Sequence, residues 1–143
     1  MADHANARRF IEAIPHSKAL DMTLDDFSDG AAVISMPWAA HLVGDPATGV
    51  IHGGAVSALM DTACGAAVMS HASGPAGTAT LSLRIDYFRP ATPQQRITAR
   101  AECYQGTRSV AFVRAIATDE DDSRPVAMAT GSFAVERAKG ANT

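Results

Sequence analysis

The sequence predicts an α+β fold, with one long helix lying against an antiparallel sheet. Three observations carry this. From Thr78 onward the chain runs as long segments of alternating apolar and polar residues joined by short turns, as neighbouring antiparallel strands require. One apolar run of helical length, "GGAVSALMDTACGAAVMS", precedes them. Upstream, "LDMTLDDFSDG" and "AAVISMPW" flank Asp29-Gly30, a hairpin signal. A single helix beside a long sheet is an α+β layout.

Taken in order, residues near 4–13 read as a short helix with Phe10, Ile11 and Ile14 as its apolar side. The hairpin follows. Residues 39–51 read as a long loop marked by Gly44, Pro46 and Gly49. The helix is expected over about Gly54–Ser70, roughly 25 Å long, until "SHASGPAGT" ends it. In "TATLSLRIDYF", Ala79, Leu81, Leu83, Ile85 and Tyr87 are expected to point one way. Thr80, Ser82, Arg84, Asp86 and Phe88 point the other, as in a half-buried strand. "QRITARAECY" alternates with Ile97, Ala99, Ala101 and Cys103 inward, and "RSVAFVRAIATDE" and "PVAMATGSFAVE" complete the sheet.

The chain has 143 residues, 47% hydrophobic and 19% charged, with a net charge of −3. This suits a single globular domain over residues 1–143, with the first ~15 residues as the helical lead and the last ~6 as a tail. No basic cluster points to nucleic acid. Cys64 and Cys103 sit in apolar contexts without metal-ligand spacing, which fits free thiols and a cytoplasmic location. The N-terminus has no apolar signal core, and "SHASGPAGTAT" interrupts the uncharged run from Thr62 to Leu83, so no membrane span is expected. No metal or cofactor is expected.

The chemistry-bearing feature is Asp61, a lone carboxylate inside the apolar helix. Ser57, Asp61 and Cys64/Gly65 share one stripe, whereas Val56, Leu59, Ala63 and Ala67 form the side that packs on the sheet. Asp61 is either a solvated residue on the exposed side or a carboxylate with a partner, such as one that a second subunit would supply at an interface, because desolvating it alone is costly. His52, Gly53 and Gly54 also allow two readings. They can be a tight start to the helix with His52 as a structural hydrogen-bonding group. They can equally be an oxyanion site, since free N–H groups at a helix start hold developing negative charge and glycine admits a close carbonyl.

"HGGAVSALMDTACG" resembles the acyl-CoA thioesterases of the phenylacetic acid degradation family, which have the hotdog fold. The pattern is His-Gly-Gly followed by an acid nine positions after the histidine, here His52 and Asp61. The resemblance continues through "TATLSLRIDYFRPA" and "GTRSVAFVRAIA" and covers about residues 20–135. It implies a long central helix wrapped by a curved antiparallel sheet, dimers made by pairing sheet edges, commonly tetramers, and active sites at the dimer interface. It implies that Gly53 and Gly54 of one subunit polarise the thioester carbonyl. Asp61 of the other would serve as nucleophile or general base, with His52 orienting the loop and Thr80 helping to place water. Where many members carry an asparagine shortly before the histidine, this chain has Asp45-Pro46.

The expected activity is hydrolysis of acyl-CoA to a carboxylic acid and CoA. No Gly-Xaa-Ser-Xaa-Gly elbow suggests a serine hydrolase. Ser57 and Cys64 are candidate substrate contacts, and Ala58, Met60, Cys64 and Met69 candidate acyl-pocket residues. Arg89 and Arg108 are candidates for the CoA phosphates or else solvated strand-end charges. The alternatives are a hotdog hydratase or dehydratase using a paired Asp and His, for which the seven-residue spacing of Asp45 and His52 is uncharacteristic, and a non-catalytic acyl-CoA-binding module, which would not need Asp61.

Overall fold

A computed structural model of the protein describes residues 4–139. Most of the expected tail lies outside the described residues. The elements are α1 (His4–Ala13), α2 (Pro15–Ala19), β1 (Thr23–Ser28), β2 (Ala31–Met36), a 3-10 turn (Ala40–Leu42), β3 (Val43–Asp45), β4 (Val50–Ile51), α3 (Gly53–Met69), β5 (Gly77–Tyr87), β6 (Ile97–Gly106), β7 (Val110–Thr118) and β8 (Ala127–Glu136).

Six strands form one antiparallel sheet in the order β1-β2-β6-β7-β8-β5, curved around α3. The hairpins β1–β2, β6–β7 and β7–β8 join sequence neighbours, and Gly30 takes the positive φ that the first turn needs. Val56, Leu59, Ala63 and Ala67 of α3 are buried, together with inward residues such as Ile34, Ala99, Val113 and Phe133. Burying one Leu or Phe contributes about 1.5–3 kcal/mol, so this shared core dominates the packing. Among the described residues, no helix is long and apolar enough to cross a membrane.

Four features differ from the sequence expectations. The segment 39–51 is not plain loop, because β3 and β4 pair as a small ribbon. Asp45 holds its turn, with Oδ1 accepting from the Ala47 N–H at 3.0 Å and Oδ2 from the Thr48 hydroxyl at 2.9 Å. Pro15 stops α1 from continuing and opens α2. Phe10 is 70% exposed although Ile11 beside it is buried, so the apolar side of α1 is only partly covered.

The fourth difference is in β5. It is an edge strand with no buried residue, and its alternation is broken by a β-bulge. Thr80 pairs with Phe133 and Ser82 with Ser132, leaving Leu81 as the extra residue, 60% exposed. Beyond the bulge Leu83 and Ile85 pack on the core as expected, but before it Thr80 turns to the helix side while Ala79 and Leu81 are exposed. Gly131 accommodates the bulge: a Cβ there would lie 2.2 Å from the Ser82 carbonyl oxygen.

Candidate active site

The start of α3 is built from its flanks. The N–H of His52 donates to the Leu42 carbonyl at 2.8 Å, tying the helix start to the β3–β4 ribbon. Gly44 permits this approach, since a Cβ there would meet the His52 Cα at 2.8 Å. His52 is the N-cap, and its Nδ1 accepts from the Gly54 N–H at 2.8 Å. This leaves the ring proton on Nε2. The Ala55 N–H goes to the His52 carbonyl, whereas the Gly53 N–H donates to no group among the described residues. Of the two glycines singled out in the sequence, Gly53 therefore holds the free donor and Gly54 is committed to the cap.

Tyr87, which the sequence reading placed only as a strand residue, holds the same point from the sheet. Its hydroxyl donates to the Gly53 carbonyl at 2.9 Å. A Tyr at the end of a strand carries no distinctive spacing, so nothing in the sequence marks this contact.

Asp61 lies two turns further along α3, on the less buried stripe with Ser57 and Gly65. The Thr80 hydroxyl donates to Asp61 Oδ1 at 2.7 Å. Asp61 Oδ2 has no hydrogen-bond partner among the described residues and so keeps its lone pairs available. The structure thus brings Asp61 and Thr80 together. It does not bring Asp61 to Gly53 of its own chain, because eight residues of helix separate them by about 12 Å.

Three expectations for substrate contacts are corrected. Cys64 does not share the open stripe: it is 0% exposed, and burial, helped by the Asp61 charge, pushes its thiol up to about 12. Met60 is likewise sealed in the core. Arg89 is not a free strand-end cation. Its guanidinium makes two hydrogen bonds to Asp119, at 2.7 and 2.9 Å, and another to the Arg124 carbonyl at 2.7 Å. The Asp119 side chain is 0% exposed and also accepts from the Thr92 N–H and hydroxyl. The Arg89 hydrogen bonds hold its carboxyl well below the usual carboxylate range. Arg108 is exposed on the β6–β7 turn, beside Arg137 and His71 and near the far end of α3 from Gly53. Ser57 is partly exposed, with its hydroxyl donating to the Gly54 carbonyl at 3.1 Å.

A long helix held in a curved six-stranded antiparallel sheet, with an acid on its open side, defines a hotdog-type domain of the thioesterase class. Residues 48–126 match the family model for the thioesterase superfamily, and the chain belongs to that superfamily. A Halobacterium salinarum protein provisionally named an esterase is 35% identical over 124 residues, 82% of each chain. A medium/long-chain acyl-CoA thioesterase of Escherichia coli is 24% identical over 139 residues, 88% of each chain. Among solved structures, a mutant of the phenylacetic acid degradation protein PaaI from Thermus thermophilus superposes with a TM-score of 0.74 at 32% identity, over 84% of this chain and 97% of that one.

Proposed function

We propose that the protein hydrolyses acyl-CoA thioesters to a carboxylic acid and CoA, in sites shared between two copies of the chain. The observation that carries this is the Asp61–Thr80 pair. One carboxylate oxygen is fixed by a hydroxyl at 2.7 Å, and the other has no partner among the described residues, in a half-buried residue of an otherwise apolar helix. The free oxygen takes a proton from water, whose oxygen attacks the thioester carbon, or attacks that carbon itself to give an acyl-enzyme anhydride that water then hydrolyses. In either route the C–S bond breaks and the CoA thiolate leaves and is protonated, and neither needs a metal or cofactor. The developing oxyanion needs a donor, and the free Gly53 N–H at a helix start has the right polarity. Because ~12 Å separates Asp61 from Gly53 within one chain, the donor comes from a neighbouring copy.

The exposed edge of β5 supports such an assembly. It is 11 residues long, unpaired on one side among the described residues, and carries Leu81 and Tyr87 exposed. Long unpaired edges recruit another strand. The outer sheet face, with Phe112, Ile116 and Met128 exposed, offers a second apolar contact for a tetramer. Arg108, with Arg137 next to it, remains the candidate for a CoA phosphate. The acyl-CoA thioesterase name of the Escherichia coli relative supports the carrier assignment.

The deciding experiment is CoA release from acetyl-, hexanoyl-, decanoyl- and phenylacetyl-CoA by the wild-type protein and by Asp61→Asn. Turnover of one or more substrates, lost in Asp61→Asn, is expected. Binding without thiol release would leave the acyl-CoA-binding alternative.

A further inference from the structure

We propose that Tyr87 is a positioning residue for the oxyanion donor: its hydroxyl fixes the peptide that joins Gly53 to Gly54 and so aims the free Gly53 N–H. The inference rests on the thioesterase reading and adds to it a residue that touches no reacting atom. The peptide is held at both ends. Its carbonyl, from Gly53, accepts from the Tyr87 hydroxyl at 2.9 Å, and its N–H, from Gly54, donates to His52 Nδ1 at 2.8 Å. The preceding peptide is tied through the His52 carbonyl, which accepts from the Ala55 N–H at 3.0 Å. The Gly53 N–H is the group these bonds leave over.

Two adjacent glycines make an outside grip necessary. They have more backbone freedom than any other pair, and the first turn of a helix lacks partners for its own N–H groups. A donor on Gly53 therefore keeps its direction only if the neighbouring peptides are fixed. An oxyanion donor lowers a barrier because it is oriented before the charge develops.

Tyr87 stands on a fixed base. It is the last residue of β5 and pairs with Ala127. Directly after it, the Phe88 N–H donates to the Val126 carbonyl at 2.8 Å and Arg89 is locked onto the buried Asp119. The ring lies against the helix start, since a Cβ on Gly53 would be 3.5 Å from Tyr87 Cε1. Yet the residue is 51% exposed, so packing of the core does not call for an aromatic side chain there.

The register of β5 supplies an independent observation. Thr80 and Tyr87 are seven positions apart, and strict alternation would put them on opposite faces of the strand. The extra residue at Leu81 returns both to the helix side, Thr80 to Asp61 and Tyr87 to Gly53. One irregularity in an edge strand thus brings a hydroxyl to each of the two groups that the proposed reaction uses.

The test is Tyr87→Phe, which keeps the ring and removes the hydroxyl, alone and combined with Gly53→Pro. The reaction followed is CoA release from the acyl-CoA that wild type turns over fastest. Tyr87→Phe should lower kcat about tenfold with KM within about twofold of wild type, the split expected when a transition-state contact is misplaced. Gly53→Pro keeps the carbonyl but has no N–H to aim, so adding Tyr87→Phe to it should change kcat by less than about twofold. An unchanged kcat in Tyr87→Phe, a raised KM in place of the lowered kcat, or a further loss of about tenfold on top of Gly53→Pro would overturn the proposal. A second readout needs no turnover. In protein carrying 15N-labelled glycine, the Gly54 amide should exchange its hydrogen at least about twofold faster in Tyr87→Phe than in wild type. Equal exchange would overturn the grip. If the wild type releases CoA from no substrate, the thioesterase reading fails, and this exchange decides on its own whether Tyr87 holds the helix start.

Discussion

The Thr80 hydroxyl donates to Asp61 Oδ1 at 2.7 Å, joining the middle of α3 to the edge strand β5 immediately before its bulge. The contact exists because Leu81 is inserted. Without that extra residue, Thr80 would lie on the opposite side of the strand from Leu83 and Ile85 and face away from the helix.

Asp61→Asn is expected to keep the fold and lose the reaction. The amide fills the same space but cannot take a proton from water, so kcat should fall at least ~10²-fold. Thr80→Val removes only the hydroxyl that orients the carboxylate, and its loss of kcat should be smaller. Steady-state rates beside thermal melts check both. An Asp61→Asn protein turning over within about threefold of wild type would move the chemistry elsewhere.

Gly53→Pro tests the helix start in isolation. Proline is favoured at the first helical position, and His52, at φ −59 and ψ 135, already has the conformation that precedes proline. The change deletes the N–H while leaving the helix, and kcat should fall by about 10²–10³-fold. Mixing Gly53→Pro with Asp61→Asn subunits, followed by exchange, should restore activity that neither protein has alone. No restoration, with exchange verified by mass spectrometry, would rule out sites shared between subunits.

Gly131→Ala should act on the site from the neighbouring strand. Its Cβ would meet the Ser82 carbonyl at 2.2 Å, a backbone clash that forces β5 outward or erases the bulge. Both lower Tm, and both pull Thr80 from Asp61. A variant with wild-type Tm and kcat would show that the bulge has no role.

Arg89→Ala should cost stability and leave KM for CoA thioesters unchanged. It strands the buried Asp119 carboxylate, and breaking such pairs costs on the order of 3–5 kcal/mol. The pair also sets the acid limit. Asp119 is held below its unfolded value of about 3.9, so its contribution is complete above that pH and is lost as pH falls through the folded value. The acid-unfolding midpoint of wild type should therefore lie below that of Arg89→Ala. Equal midpoints in a pH titration of the fold would contradict the assignment.

The thiol of Cys64 should resist a disulfide reagent at pH 8 until the protein unfolds. Burial and the nearby Asp61 charge raise it to about 12, leaving almost no thiolate. Fast modification in the native state, located at Cys64 by peptide mapping, would show that this face of α3 opens.

Much of the architecture was legible in the sequence, because period and turn chemistry are local. Alternation marked the strands, Asp29-Gly30 marked the first hairpin, and the apolar run marked α3 and its sheet-packing side. The same 3.6-residue period placed Ser57 and Asp61 on the other side. The spacing of His52 and Asp61 carried the likeness to hotdog thioesterases before any contact was known.

Tertiary structure decided what depends on a distant partner. The bulge at Leu81 is a register event between β5 and β8, with Gly131 fifty residues on giving it room, and no local pattern encodes it. Arg89 could have met solvent or a ligand until the chain return brought Asp119 to it. The helical period placed Cys64 with Gly65 on the Ser57 and Asp61 stripe, and packing of α3 against the sheet settled that it is buried. A sequence fixes which residues share a face by geometry within one element. Which face is covered, and which polar group is satisfied, is set by packing between elements remote in the chain.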